Sequence, residues 1–286
     1  MTDRVDFIGV IPDMSNRDYH MARGCNNSLL NAMNKSPAHC HALYLSDDAP
    51  KREATPAMKA GTLAHTAILE PDTLATRYAV QPAGVDSRTK EGKEFAACNA
   101  GLTIITEAQM ETAKAQRAAV LAVPELADLL ATGAAEQSAF WRDPATGRMC
   151  KCRPDWVHTL PDGRVILLDV KTTADASPGE FAKTIWNYGY HRQAAWYTTG
   201  WQAASGTEVA AFIFAAVCGT YPAIAAAYML DEDALAQGEE ECAELLEQYA
   251  ACLKSNVWPG YGSGVQVLSL PRWAQRSMET EVSYVV

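Results

Sequence analysis

Long hydrophobic runs are absent from this sequence: no stretch reaches the roughly 18 apolar residues that a membrane-spanning helix requires. The Ala-rich stretch VAAFIFAAVCGTYPAIAAAYML is interrupted by Gly219, Thr220 and Pro222. The first ten residues, MTDRVDFIGV, carry charges where a secretory signal has an apolar segment. CxxC pairs and internal repeats are also missing. We therefore expect the cysteines to be free thiols and the protein to be cytoplasmic.

Positive charge is scarce as well, with 24 Lys and Arg against 34 Asp and Glu and a formal net charge of −10. The acids are concentrated, however, because residues 231–254 contain eight of them and a single lysine. Residues 148–192, by contrast, contain seven bases and five acids. Local fields rather than total charge govern binding at a site. The acidic total therefore does not exclude a basic nucleic-acid groove.

Helical and strand patterns follow one another along the chain and predict an α/β fold. The predicted helices cover residues 15–45 in two pieces, 56–69, a segment that begins after Thr106, 178–199 with a break at Gly189 and an end at Gly200, and 231–253. The predicted strands are EQSAFW, the hairpin at 150–173, and residues 209–217 and 224–230. Ser177 and Glu180 have the spacing of a capping box.

The hairpin CKCRPDWVHTLPDGRVILLDVKTT, residues 150–173, contains charged residues where a sheet favours apolar ones. Because side chains alternate along a strand, Asp169 and Lys171 share one face of the second strand. Arg153 and Asp155 share a face of the first strand by the same rule. If the two polar faces coincide, two carboxylates and an ammonium group converge, and such charges must be paired or bound to a metal.

Two carboxylates offer the hard oxygen ligands that suit Mg²⁺ or Mn²⁺. A metal held in this way lowers the pKa of a bound water and stabilises charge on a phosphate, and a neighbouring lysine can orient that water. Phosphodiester hydrolysis is the reaction that this set fits best. A surface hairpin with an Asp–Lys ion pair is the alternative that DVK alone leaves open. A structural metal site at HCH or CKC lacks a reliable ligand spacing.

The motifs RPDW and ILLDVKTT resemble the core of the PD-(D/E)XK nucleases, with Asp155 after a proline and Asp169-x-Lys171 at the end of an apolar strand. GTLAHTAILEP is similar to the upstream G-x-x-x-H helix of the RecB-like branch, and QAAWY is similar to its downstream Q-x-x-x-Y motif. Together with RDYH, SLLNAMNKSPAH and VDSRTKEGKEF, these segments resemble the nuclease domain of RecE-type exonucleases (exonuclease VIII) over about residues 15–200.

The resemblance implies a restriction-endonuclease-like core, a central mixed β-sheet flanked by helices. We expect one nuclease domain over residues 1–286. Residues 1–130 would be mainly helical and carry the histidine motif, residues 131–260 would form the catalytic sheet and its helices, and residues 261–286 would form a tail. The implied activity is Mg²⁺-dependent, ATP-independent digestion of linear double-stranded DNA from 5′ to 3′, with Mn²⁺ as a substitute. Implied partners are a RecT-type annealing protein and further copies of the chain in a ring, as a tetramer rather than a trimer, in a bacterial or prophage setting.

Residue roles carried over from the resemblance concern eight positions. The implied metal ligands are His65, Asp155, Asp169 and the carbonyl of Val170. Lys171 would be the catalytic lysine, Gln193 and Tyr197 would position the scissile strand, and Glu136 would help to hold a second metal. Phosphate contacts are assigned to basic residues that could each be a solvated surface charge: Arg88, Lys90, Lys93, Arg153, Lys183, His191 and Arg192. Four aromatic residues could stack bases or pack in the core: Trp141, Trp186, Tyr188 and Tyr190.

Two other functions remain open at this point. One is an endonuclease or resolvase built on the same core, which would cleave closed circular DNA. The other is a DNA-binding phage accessory module that keeps the fold without catalysis. The complete set of His65, Asp155, Asp169 and Lys171 argues against the second.

Overall fold

A computed structural model describes residues 7–49 and 53–271 of the chain. Up to residue 131 it is mostly helical, with polar N-cap side chains at six of the helix starts, Ser15, Asn26, Ser36, Thr55, Thr89 and Thr106. The helices are α1 Asn16–Met21, α2 Asn27–Lys35, α3 Pro37–Tyr44, α4 Pro56–Leu69, α5 Leu74–Arg77, α6 Lys90–Cys98, α7 Glu107–Leu121 and α8 Pro124–Ala131. The helix predicted over residues 56–69 is confirmed, and residues 15–45 form three helices instead of two.

Ten strands form three sheets within the described residues. They are β1 Gly9–Ile11, β2 Tyr78–Gln81, β3 Thr103–Thr106, β4 Ala134–Ala135, β5 Ser138–Arg142, β6 Met149–Cys152, β7 Trp156–Thr159, β8 Val165–Thr173, β9 Val209–Cys218 and β10 Ala225–Tyr228. The central sheet has the order β10-β9-β8-β7-β4. It is mixed, because β8 and β9 are parallel and the other pairs are antiparallel. The predicted central mixed sheet flanked by helices is confirmed.

The other two sheets are smaller. An antiparallel sheet has the order β1-β5-β6, and β2 pairs with β3 in parallel. In the first of these, Lys151 of β6 is buried and its Nζ donates to the carbonyl oxygens of Tyr19 and Ala22, each at 2.7 Å. The same ammonium lies 4.6 Å from the ring centroid of Tyr19. This lysine therefore fixes α1 against β6.

The first strand of the predicted hairpin is in fact two strands in two different sheets. β6 pairs with β5 and ends at Cys152, whereas β7 begins at Trp156 and pairs with β8. Pro154 lies between them and cannot donate a ladder hydrogen bond, which favours a break at this point. The prediction that Arg153 and Asp155 share one strand face with the preceding residues is therefore wrong.

Strand β8 is buried on both faces, because helices cover the central sheet on either side. Leu167 belongs to the core beneath α10, and Leu168 and Val170 belong to the core beneath α7 and α8. Asp169 is only 2% exposed. The surface hairpin with a solvated ion pair is therefore excluded, and the charged end of β8 lies inside the protein.

Three helices complete the fold: α9 Pro178–Tyr188, α10 Tyr190–Ser205 and α11 Glu232–Ser255. Gly189, with a φ of 66°, separates α9 from α10 as predicted. The predicted end at Gly200 is wrong: the helix continues to Ser205, and a Cβ at Gly200 would lie 2.3 Å from the ring of Trp141. Gly200 therefore serves close packing, and Gly206 ends the helix.

Two further local features of the C-terminal half bear on the sequence predictions. The capping box predicted from Ser177 does not form, because that side chain makes no cap hydrogen bond and Glu180 pairs with Lys183 at 2.6 Å. Among the helices of residues 7–49 and 53–271, none combines the length and the hydropathy needed to cross a membrane.

Candidate active site

The buried end of β8 brings together the residues of the D-x-K motif. Asp169 and Lys171 lie two positions apart on one strand face, and Nζ of Lys171 pairs with Oδ2 of Asp169. The other carboxylate oxygen, Oδ1, accepts a hydrogen bond of 2.5 Å from Nε2 of Gln193 on α10. The carboxylate is thus held from both sides, by a cation on its own strand and by an amide on the helix that covers it.

The second carboxylate reaches the same segment from the connection between β6 and β7. Oδ2 of Asp155 accepts a hydrogen bond of 2.8 Å from the backbone N–H of Val170. Nδ1 of His65 on α4 lies 3.3 Å from the same oxygen. The structure therefore brings together His65, Asp155, Asp169 and Lys171 around Val170, although Asp155 does not lie on the continuous first strand predicted for it.

Burial and mutual charge shift the pKa values of this group. Burial, and then repulsion from Asp169, raise the pKa of Asp155 well above its usual value, while Lys171 acts in the opposite direction. Burial lowers the pKa of His65 to about 4, so its ring is neutral near pH 7. Burial lowers the pKa of Lys171, but attraction to Asp169 and Asp155 outweighs this effect and the pKa is raised overall. The site therefore combines a neutral imidazole, an ammonium group and two closely placed carboxyl groups.

A divalent cation fits this donor set chemically, because carboxylate oxygens and a neutral imidazole nitrogen are ordinary metal ligands and a cation would relieve the repulsion between the two carboxyl groups. Any such ion would share Asp169 with Lys171 and Asp155 with the Val170 amide. Within residues 7–49 and 53–271, no three His, Cys, Asp or Glu side chains are arranged closely enough to hold a metal by themselves.

Glu136 lies beside these residues, in the connection between β4 and β5. Its backbone has a φ of 53°, and its N–H donates to the carbonyl oxygen of Asp155 at 3.0 Å. Its carboxylate accepts a hydrogen bond of 2.6 Å from Nε of Arg153, and Nη1 of the same arginine donates to Oγ of Ser138 at 3.2 Å. The pKa of Glu136 is raised by burial, against the opposing effect of Arg153. Glu136 and Arg153 thus form a fixed pair in the wall of the site.

A cleft of about 920 Å³ opens in front of this wall. His65, Glu136 and Arg153 all line it. Two further lining residues, Arg77 and Glu70, were not singled out by the sequence. Arg77 of α5 donates two hydrogen bonds of 2.7 Å to the carboxylate of Glu70. Glu70 lies at the end of the GTLAHTAILE segment, which the sequence analysis connected with the site only through His65. Nothing in the sequence pointed to Arg77, because the pair forms across the turn at residues 71–73.

The two residues of the Q-x-x-x-Y motif have different surroundings. Gln193 is buried and bonded to Asp169. Tyr197, one turn later, packs edge-on against Phe212 with ring centroids 6.1 Å apart. Burial raises the pKa of Tyr197 well above its usual value, and the charges of Asp169 and Asp155 add to the effect. Tyr197 therefore lies within electrostatic range of both carboxylates.

Apart from Arg153, which lies in the wall of the cleft, the basic residues assigned to phosphate contacts fall into two groups. Arg88, Lys90, Lys93 and Lys183 are exposed, and three of them pair with nearby acids: Arg88 with Asp86, Lys90 with Glu94 and Lys183 with Glu180. His191 and Arg192 are buried, at 4% and 7% exposure. Both contact Glu241 of α11, at 3.1 and 2.6 Å, and Arg192 also binds Asn31. In this arrangement these two residues join α10 to its neighbours and do not face solvent.

Comparison with known proteins agrees with this fold. A solved structure from Eubacterium rectale, described as a "putative exonuclease", superposes with a TM-score of 0.58 over 91% of this chain and 96% of that chain. The sequence identity is 11%, so the likeness shows a shared fold and no more. No curated protein matches the sequence significantly. The family model described as "PDDEXK-like domain of unknown function (DUF3799)" matches residues 26–271. The chain therefore belongs to this PDDEXK-like family.

Proposed function

We propose that this protein is a metal-dependent nuclease. One observation carries the proposal: the D-x-K residues Asp169 and Lys171, the Asp155 carboxylate and the His65 ring converge around Val170 in a PDDEXK-like fold, next to a cleft. Structural charges on an ordinary surface hairpin would be solvated. Here Asp169 is buried and held by Lys171 and Gln193, which is the arrangement that oriented catalytic groups require.

Each residue of the group has a distinct role in this proposal. Asp155, Asp169, His65 and the carbonyl oxygen of Val170 would hold a divalent metal. When bound, such an ion supplies a water of lowered pKa and neutralises charge on the phosphate. Lys171, an ammonium at neutral pH because the two carboxylates raise its pKa, orients the attacking water and stabilises the oxyanion. Gln193 keeps Asp169 in one orientation.

We further propose the narrower activity that the RecE resemblance implies. The enzyme would use Mg²⁺, or Mn²⁺ in its place, to digest one strand of linear double-stranded DNA from 5′ to 3′. The product would carry a 3′ single-stranded tail for a RecT-type annealing protein, and the active form would be a ring of several copies. The order of the four motifs along the chain, G-x-x-x-H, PD, D-x-K and Q-x-x-x-Y, supports this proposal. All eight cysteines are unpaired, which is consistent with a reducing cytoplasm.

The deciding experiment is a time course on linear duplex DNA labelled at one 5′ end, with Mg²⁺ or with EDTA. Wild type is compared with Asp169→Asn and with the control Asp162→Asn, an exposed acid in the turn of the same hairpin. We expect early release of labelled mononucleotide by wild type and by the control only. Closed circular DNA should survive.

Each alternative predicts a different result in the same assay. Cleavage of the circle would replace the exonuclease with an endonuclease. Release of label only late in the reaction would contradict the 5′ to 3′ direction. If wild type degrades no DNA with Mg²⁺ or Mn²⁺ but still binds it, the non-catalytic DNA-binding module becomes the better account.

A further inference from the structure

Two tyrosines connect the lysine of the site to the protein surface. Nζ of Lys171 lies 4.5 Å from the ring centroid of Tyr190, the first residue of α10. The Tyr190 ring also stacks on Phe214, with centroids 5.8 Å apart and an interplanar angle of 28°. It is therefore fixed between the core and the ammonium group, which favours contact with an aromatic face.

Tyr188 stacks on the same ring from the outside. The centroids of Tyr188 and Tyr190 are 5.7 Å apart and the rings are inclined by 21°. Gly189, with its φ of 66°, reverses the chain between them and so allows the two rings to face each other. Tyr188 is nevertheless 64% exposed, so it adds little to the core. Its ring is held in a defined orientation while most of its surface remains open to solvent.

The sequence around Tyr188 carries little negative charge. No carboxylate occurs in the sequence between Glu180 and Gln193, where the ionisable side chains are Lys183, His191, Arg192 and the two tyrosines. Glu241, which reaches this segment from α11, is paired with His191 and Arg192. The cations of this segment are therefore engaged as well, since Lys183 pairs with Glu180. The exposed ring of Tyr188, one stacking contact away from the residue beside Lys171, offers a planar ligand an aromatic face rather than a charge.

We propose that Tyr188 is a stacking platform for an unpaired nucleobase of the DNA strand that enters the site. This inference rests on the nuclease function proposed above and adds a subsite to it. Stacking on an aromatic side chain is tolerant of sequence, because every base has a π face. The stack of base, Tyr188 and Tyr190 would hold the strand at a fixed distance from Lys171. Tyr190 is a positioning residue in this arrangement, since it acts through Lys171 and Tyr188.

The test uses the full-length protein and a single-stranded oligonucleotide that carries 2-aminopurine near its 5′ end, with Ca²⁺ replacing Mg²⁺ to limit cleavage. Wild type is compared with Tyr188→Ala, Tyr188→Trp and the control Tyr261→Ala, a tyrosine of similar exposure, 67%, on the C-terminal segment. We expect wild type and Tyr188→Trp to quench the fluorescence. Tyr188→Ala should lose the quenching and bind at least about fivefold more weakly.

The outcomes separate this inference from the nuclease proposal. If Tyr188→Ala quenches and binds like wild type while wild type cleaves DNA with Mg²⁺, the platform is refuted and the nuclease stands. An equal loss in Tyr261→Ala would also refute it, since the effect would not be specific to the stacked ring. Wild type that neither binds nor cleaves DNA would overturn both proposals. Thermal melting of each variant verifies folding, which an exposed side chain should not affect.

Discussion

Gln193 on α10 donates a 2.5 Å hydrogen bond to Asp169 on β8, so a helix side chain fixes the orientation of a carboxylate of the candidate site. A side chain that orients a metal ligand typically contributes 10- to 100-fold to metal affinity or activity. We therefore expect Gln193→Ala to lower the cleavage rate by about 10- to 100-fold and to raise the Mg²⁺ concentration needed for half-maximal rate. The measurement is a Mg²⁺ titration of the initial rate.

Gln248→Ala, at an exposed position of α11, is the matched control and should behave like wild type. An unchanged Mg²⁺ dependence in Gln193→Ala would show that the hydrogen bond does not orient Asp169 for metal binding. DNA affinity measured without a divalent metal should be similar in all three proteins, because Gln193 is buried.

Arg77 offers a test of how DNA lies in the cleft. The Arg77 side chain is 45% exposed and its guanidinium pairs with Glu70 at the cleft wall, so a phosphate could replace or share this partner. We expect Arg77→Gln to weaken DNA binding and to reduce the slope of log affinity against log salt by about one. Binding is measured by fluorescence anisotropy at several salt concentrations. Arg164→Gln, in the hairpin turn, should keep the wild-type slope, and an unchanged slope in Arg77→Gln would place the DNA elsewhere.

Lys151 makes the stability of the protein depend on pH in the alkaline range. Burial lowers the pKa of this lysine to about 8 from an ordinary value of 10.5. Between these values the folded protein releases the proton first, so the unfolded chain binds more protons and the free energy of unfolding rises with pH. Relative to Lys151→Met, wild type should gain about 2 kcal/mol between pH 7.5 and pH 10.

Urea denaturation of both proteins at the two pH values measures this gain. The comparison with the variant is necessary because buried thiols and tyrosines with raised pKa values lower stability over the same range. A constant difference between the two proteins would mean that Lys151 is not perturbed by burial. Lys151→Met should be less stable than wild type at pH 10, since the carbonyl groups of Tyr19 and Ala22 lose their donor.

Gly238 allows α11 to pack closely on α10. A Cβ at this position would lie 2.5 Å from the carbonyl oxygen of His191. Gly238→Ala must separate the two helices, so we expect a loss of about 1–3 kcal/mol in the free energy of unfolding despite the better helix propensity of alanine. The control is Gly179→Ala in α9, where no atom lies within 4 Å. It should be neutral or slightly stabilising, and equal behaviour of the two variants would contradict the close packing.

The sequence predicted the main elements and the members of the candidate site better than it predicted their connections. The helix over residues 56–69 and the break at Gly189 follow from local signals, namely Thr55 with Pro56 at the start of α4 and a glycine between two helical segments. Local patterns could not show that the chain changes sheets between Cys152 and Trp156, because strand pairing is decided by distant residues.

The same limit explains what was missed at the site. Asp155, Asp169 and Lys171 were recognisable as a motif, and the break at Pro154 left their convergence intact. The burial of His191 and Arg192 could not be predicted, because it depends on Glu241 some 50 residues later in the chain. Arg77 was overlooked because only the folded structure shows that it lies in the wall of the cleft.

The four residues 190–193 at the start of α10 form two pairs with different contacts. Tyr190 and Gln193 contact Lys171 and Asp169, whereas His191 and Arg192 contact Glu241 of the acidic helix. Seven of the eight acids in residues 231–254 are exposed, and Glu241 is the exception. For protein engineering this means that most of the negative surface of α11 can be redesigned for solubility or immobilisation. Glu241 has to be kept, because it pairs with His191 and Arg192, and the next residue, Gln193, contacts Asp169.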